Sequence, residues 1–191
     1  MAHSSLEKAQ KEVPLTVEWR AFELRPVESR AATDEAALAE KKKQIEAYWP
    51  QVQSIAKEKY DLEMERGPWG IDTRLAHVGA KVARRLGRED EYHRKTFEAY
   101  WREGADISQL GTLQEIAEAA GIDPDEFAQG LKDETLVAEV LGEEMGAHRV
   151  GIHGVPATVI DNRYLISGAQ PSETLVRVFK EYAEKGSING R

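Results

Sequence analysis

The residues that decide the fold are "HGVPATVIDNRYLISGAQP", residues 153–171. "ATVID" and "RYLIS" are rich in β-branched and aromatic side chains. They flank Asp161-Asn162, a pair that tolerates positive φ, so they predict a tight antiparallel hairpin. "HGVP" reads as a loop feeding the first strand, where the N–H that Pro156 lacks is harmless. Pro171 then suits the start of a helix, "GAQPSETLVRVFKEYAEK", with Leu175, Val178, Phe179 and Tyr182 facing inward. "GSINGR" is a polar tail.

Upstream of this stretch the period changes. From Thr33 the pattern is helical for more than a hundred residues. Thr33 or Asp34 caps "EAALAEKKKQIEAYW", and Pro50 interrupts it to open "PQVQSIAKEKY". Asp72 or Thr73 caps a helix with Leu75, Val78, Val82 and Leu86 on one stripe, closed by Gly87. Helices follow up to Gly104 and Gly121. Asp123 with Pro124 opens another, and "DETLVAEVLGEEMGAHRVG" ends the block. Before the block, "SSLEKAQKEV" places Leu6, Ala9 and Val13 on one helical face with Ser4 or Ser5 as cap. "LTVEWRAFEL", residues 15–24, alternates Leu15, Val17, Trp19 and Ala21 against Thr16, Glu18, Arg20 and Phe22, and predicts a strand. The simplest architecture is a small α/β core interrupted by a helical subdomain.

The chain has 191 residues, 26 Lys and Arg against 34 Asp and Glu, and a formal charge of −8. That balance argues against a nucleic-acid partner. No apolar run approaches the roughly 20 residues that span a bilayer, and the first residues are too polar for a signal peptide, so no membrane partner and a cytoplasmic location are expected. There is no cysteine. Within these residues there is therefore no disulfide, no thiolate nucleophile and no Cys-ligated metal.

"SLEKAQ", "VEWRAFELRP", "DTRLAH", "AYWREGADIS", "EIAEAAGID" and "GIHGVPATVIDNRYLISGAQP" occur in the order that resembles the DsbA-like thioredoxin-fold proteins, in the FrnE-like branch of disulfide oxidoreductases. The last segment is the most specific. The resemblance implies an α/β thioredoxin-like core of the DsbA type with a large inserted helical subdomain: residues 1–30 and 149–191 as core, 31–148 as insert. It also implies a Cys-x-x-Cys just before the segment matching "SLEKA". Those positions fall before Met1, and the first strand of the fold is expected to be lacking. That strand would lie between residues 15–24 and "ATVID". Three arrangements follow: the flanking strands pair directly, a strand of another copy fills the slot, or residues 1–24 pair elsewhere. The second, a homo-oligomer by strand addition, is favoured on the apolar length of residues 15–24.

By the same resemblance Val155–Pro156 is a cis bond in a substrate-binding loop made with His153 and Gly154. That loop offers the Val155 backbone to an extended polypeptide or thiol substrate. His153 also reads as an ordinary polar loop residue. Trp69, between Gly67-Pro68 and Gly70, is expected to line a groove between the two domains. His77 is one turn from Thr73 on a helix face and reads as a packing or hydrogen-bonding residue. No metal set and no cofactor is called for, and no catalytic residue is assigned. Two alternatives remain. One is a redox-dead peptide-binding module. The other is a glutathione-dependent isomerase like the hydroxychromene-carboxylate isomerases, which share the fold; their Trp-Gly-x-Asp-Arg segment is replaced here by Ser167-Gly168-Ala169-Gln170.

Overall fold

Glycine and aspartate punctuate this chain, and they set most element boundaries. A computed structural model describes residues 1–26 and 34–186. The elements are α1 (Ala2–Gln10), α2 (Glu35–Tyr60), α3 (Arg74–Arg85), α4 (Glu89–Trp101), α5 (Leu110–Ala119), α6 (Pro124–Gly130), α7 (Glu134–Arg149), β1 (Ala157–Ile160), β2 (Tyr164–Ser167) and α8 (Ser172–Lys185). Asp123 accepts from the N–H groups of Asp125 and Glu126, with Pro124 in the first turn, as the sequence predicts. Gly87, Gly104 and Gly121 all have positive φ just beyond helix ends.

Two apolar clusters organise these elements. The larger joins α3 to α7 around Val78, Val82, Tyr92, Leu113, Phe127, Leu136 and Val140. Close approach at its centre depends on Gly79, where a Cβ would lie 2.7 Å from Phe127 Cζ. The smaller packs α1 on α8 through Ala9, Val13, Leu175, Val176 and Phe179. Leu6, Leu15, Ile160 and Ile166 cover it in part. Burying one Val, Leu or Phe fully is worth about 1.5–3 kcal/mol, so the helical cluster supplies the greater share of stability.

The hairpin forms as expected. β1 and β2 are antiparallel, with Ala157 opposite Ser167 and Ile160 opposite Tyr164. Asp161 and Asn162 have φ of 45° and 55°, and Arg163 N–H closes the turn on the Ile160 carbonyl at 2.9 Å. Tyr182 Oη donates to Asp161 Oδ2 at 2.7 Å, which ties the tip to α8. Alternation turns Ile160 and Ile166 toward the α1–α8 cluster, and Val159 and Leu165 outward.

Four expectations are corrected. Residues 15–24 are extended but form no ladder; among the described residues the sheet holds β1 and β2 alone. Direct pairing of the two flanking segments is thus not the arrangement that forms. Side chains of the helical block hold residues 15–24 instead: Ala21 N–H donates to Glu143 Oε2 at 2.7 Å, and Arg84 Nη2 donates to the Trp19 carbonyl at 2.7 Å. Next, Ser4 and Ser5 do not cap α1. The helix starts earlier, its N-cap is Met1, and Ser5 is buried inside it. Third, Pro50 does not interrupt. α2 runs through it for 26 residues, and since Pro50 is exposed, water can satisfy the carbonyl that loses its partner. Fourth, Thr73 occupies an N-cap position without a side-chain bond, and Asp72 Oδ1 serves the Arg74 N–H instead. Asp34 is likewise an N-cap without a side-chain bond. Thr33, the 30/31 boundary and the last residues of the polar tail, 187–191, lie outside the described residues.

Candidate functional site

The candidate site is built on the open side of the hairpin. The chain leaves α7, turns at Gly151 with φ of 81° and reaches the loop of residues 153–156, where the Val155–Pro156 bond is cis. Pro156 still takes part in the hairpin, since its carbonyl accepts from Gly168 N–H at 2.9 Å. Nothing crowds Gly154. Val155 is 47% exposed, Val159 45% and Leu165 47%; Val159 and Leu165 face each other across the two strands on the outer face of the hairpin, and Val155 precedes β1. β1 has a ladder partner on one edge only among the described residues.

Histidines line the approach. His153 lies 5.7 Å, ring to ring, from His148 at the end of α7, and His148 lies 5.2 Å from Phe22. The extended residues 15–24 therefore come near the loop through Phe22 and His148. No local pattern linked His153 to His148; the turn at Gly151 joins them. Trp69 is half-buried with the Arg25 guanidinium 4.0 Å from its ring centroid. It thus contacts the N-terminal segment. Tyr60, at the end of α2, donates to the Ala169 carbonyl at 3.3 Å, just after β2.

Deeper in the molecule a second polar arrangement ties residues 15–24 to the helices. Lys81 is almost wholly buried and donates to Glu143 Oε1 at 2.6 Å. Burial pushes the Glu143 carboxyl up, but the bonds from Lys81 and the Ala21 N–H outweigh it and hold it below its ordinary value. Glu23, also buried, accepts from Arg74 Nε at 2.7 Å. The period-2 alternation of residues 15–24 was the available signal. It puts Trp19, Ala21 and Glu23 on one side, and that side meets the helices. His77 is half-buried in α3, and burial first, then Lys81, lowers it to about 4. Among the described residues no group of His, Asp and Glu is arranged to hold a metal, and no helix is long and apolar enough to cross a membrane.

A thioredoxin-type hairpin followed by a covering helix, beside a block of packed helices, defines a known class. The model of the DSBA-like thioredoxin domain matches residues 1–180, and the chain belongs to that family. The uncharacterized protein YwbO of Bacillus subtilis is 26% identical over 132 residues, covering 69% of this chain and 64% of YwbO; the chain thus spans under two thirds of that curated relative. A probable DsbA oxidoreductase from Streptomyces coelicolor superposes with a TM-score of 0.76 at 22% identity, covering 100% of this chain and 86% of that one. A 2-hydroxychromene-2-carboxylate isomerase superposes with a TM-score of 0.76 at 18% identity, covering 97% and 90%. At such identities these two show a shared fold: DsbA-like, mostly helical, with a small two-stranded sheet.

Proposed function

We propose that this chain is the polypeptide-binding part of a DsbA-type disulfide oxidoreductase, of the FrnE-like branch, whose thiols come from outside these 191 residues. The observation that carries the reading is the hairpin edge. β1 is paired on one side only among the described residues, Val155 is exposed just before it, and Val159 with its cross-strand partner Leu165 leaves an apolar outer face. An extended chain adds to such an edge by backbone hydrogen bonds, with side-chain contacts setting preference. Family membership supports the same assignment. Residues 153–156 form the loop beside that edge, and Trp69 with Arg25 borders the N-terminal segment.

Disulfide exchange needs a thiolate to attack a sulfur and a second thiol to resolve the mixed disulfide. The chain has no cysteine, so by itself it binds and does not exchange. The isomerase reading has shape in its favour, but residues 167–170 depart from that family's segment. The same edge also suits a strand of a second copy, and sedimentation at micromolar concentration tests that homo-oligomer.

Reduced, carboxymethylated α-lactalbumin, a permanently unfolded polypeptide, is the binding probe. Saturable binding is expected in fluorescence polarisation, and Val159→Lys should weaken it about tenfold, as a charge on an edge does. Insulin reduction should show no turnover above buffer. Binding unchanged in Val159→Lys, or turnover by the pure chain, contradicts the proposal.

A further inference from the structure

α1, residues 15–24 and α4 meet in a stack of rings. His93 on α4 lies face to face with Trp19, centroids 3.8 Å apart and planes 17° from parallel. Phe97, one turn on, stacks on His93 at 4.4 Å. His3, in the first turns of α1, packs 5.0 Å from His93, 5.5 Å from Trp19 and 6.0 Å from Phe97. The first 24 residues thus touch α4 through aromatic and imidazole rings.

Burial disfavours a charge on these imidazoles. His93 Nε2 and both ring nitrogens of His3 are buried without a hydrogen-bond partner. Glu7 Oε1 lies 3.4 Å from His3 Nε2 and pairs with it once His3 is protonated, but burial outweighs that attraction and keeps His3 below its ordinary value. The charged groups facing His3 are Glu7 and the Met1 amino group from α1 and Asp90 from α4; Asp90 Oδ1 also accepts from Trp19 Nε1. His93 faces His3 and, from α3, His77. His77 in turn faces Lys81, Glu143 and Asp72. Carboxylates therefore border the two ends of this row, and imidazoles border its middle. A proton on His93 creates a buried cation between two other imidazoles. Burial first, and those neighbours second, hold it down to about 3. The face of Trp19 attracts a cation, but that gain is smaller than the hydration a buried imidazolium loses.

We propose that this stack is an acid-released latch: protonation of His93 and His3 separates Trp19 from α4 and frees the start of α1 and residues 15–24 while the helical block stays folded. The block keeps its own cluster of Leu113, Phe127, Leu136 and Val140, to which residues 15–24 add Ala21. A histidine that titrates only after opening multiplies the opening equilibrium about tenfold between pH 7.5 and 5.5, given a free value of about 6.5. His3, also lowered by burial but held up by Glu7 and Asp90, adds a smaller factor in the same direction.

Amide hydrogen exchange of the 191-residue chain, corrected for intrinsic rates, reads that equilibrium. Over this pH interval the opening constants of amides in α1 and residues 15–24 should rise ten- to a hundredfold, and those of α5 and α7 should rise less. His93→Phe keeps a ring in the stack and removes the proton, so it should cut the rise at least tenfold. A pH-independent opening, an equal rise in His93→Phe, or loss of protection in α5 and α7 in step with α1 overturns the latch. If His93→Phe fails to fold, the imidazole resonances of the native chain decide: His93 uncharged at pH 5 upholds the proposal, and His93 titrating above pH 6 overturns it.

Discussion

The helical block and the hairpin solve the burial problem in opposite ways. In the block, side chains from five helices close around one centre, and Tyr92, Phe127, Leu113, Leu136, Val78 and Val140 are essentially inaccessible. The hairpin buries one face against α1 and α8 and leaves Val155, Val159 and Leu165 at the surface. A closed core gives stability, and the uncovered edge is what the proposed polypeptide site rests on. The extended residues 15–24 lie between the two regimes. They form no ladder, and ion pairs and rings bind them to the block.

The contrast can be broken by mutation. Phe127→Ala should cost about 3–5 kcal/mol, as a large-to-small change in a close-packed core does. Denaturant titration measures it, and a loss under 1 kcal/mol would mean that the block is loosely packed. Lys81→Met takes from Glu143 its buried cation and leaves Arg20 and the Ala21 N–H as hydrogen-bond partners. Breaking a buried pair costs about 3–5 kcal/mol, and here exchange of the Ala21 amide should rise with it, which separates loss of the tie from general loosening.

The fold was legible in the sequence wherever local chemistry sets the outcome. Asp161-Asn162 specified the hairpin turn, and Asp123-Pro124 the start of α6. Residues 15–24 were misread because a strand is defined by its partner. Their alternation is real, yet it serves to present Trp19, Ala21 and Glu23 to helices. Pro50 was misread because an exposed proline on a long helix can be tolerated when water replaces its bond. Of the site, His153 and the loop could be named from sequence. Its neighbour His148 and the stack of His3, Trp19 and His93 could not, since they join residues from separate elements.

Acid should loosen the whole molecule as well. His77 and His93 are lowered to about 4 and about 3, against 6.5 when unfolded. The unfolded chain therefore binds protons first, so their contribution is complete above pH 6.5 and is lost as pH falls toward 4. The slope is at most about 1.4 kcal/mol per pH unit for each histidine. Melting temperatures at pH 7.5, 6.5 and 5.5 check it; stability that holds level across that range contradicts the burial of both rings. The smallest effect belongs to the outer face of the hairpin. Leu165→Ser should change stability by about 0.5 kcal/mol or less, since the side chain is half exposed. A loss above 2 kcal/mol in the same denaturant titration would show that something covers that face.

We propose that the hairpin edge, and not the helical block, receives an extended polypeptide. Amide nitrogen–proton NMR spectra of the labelled chain, titrated with reduced, carboxymethylated α-lactalbumin, locate the bound surface. The largest shifts are expected in residues 153–160 (Pro156 has no amide proton), and none in α5 or α6. Shifts centred on the helical block, or no shift at saturating probe, would overturn the proposed site.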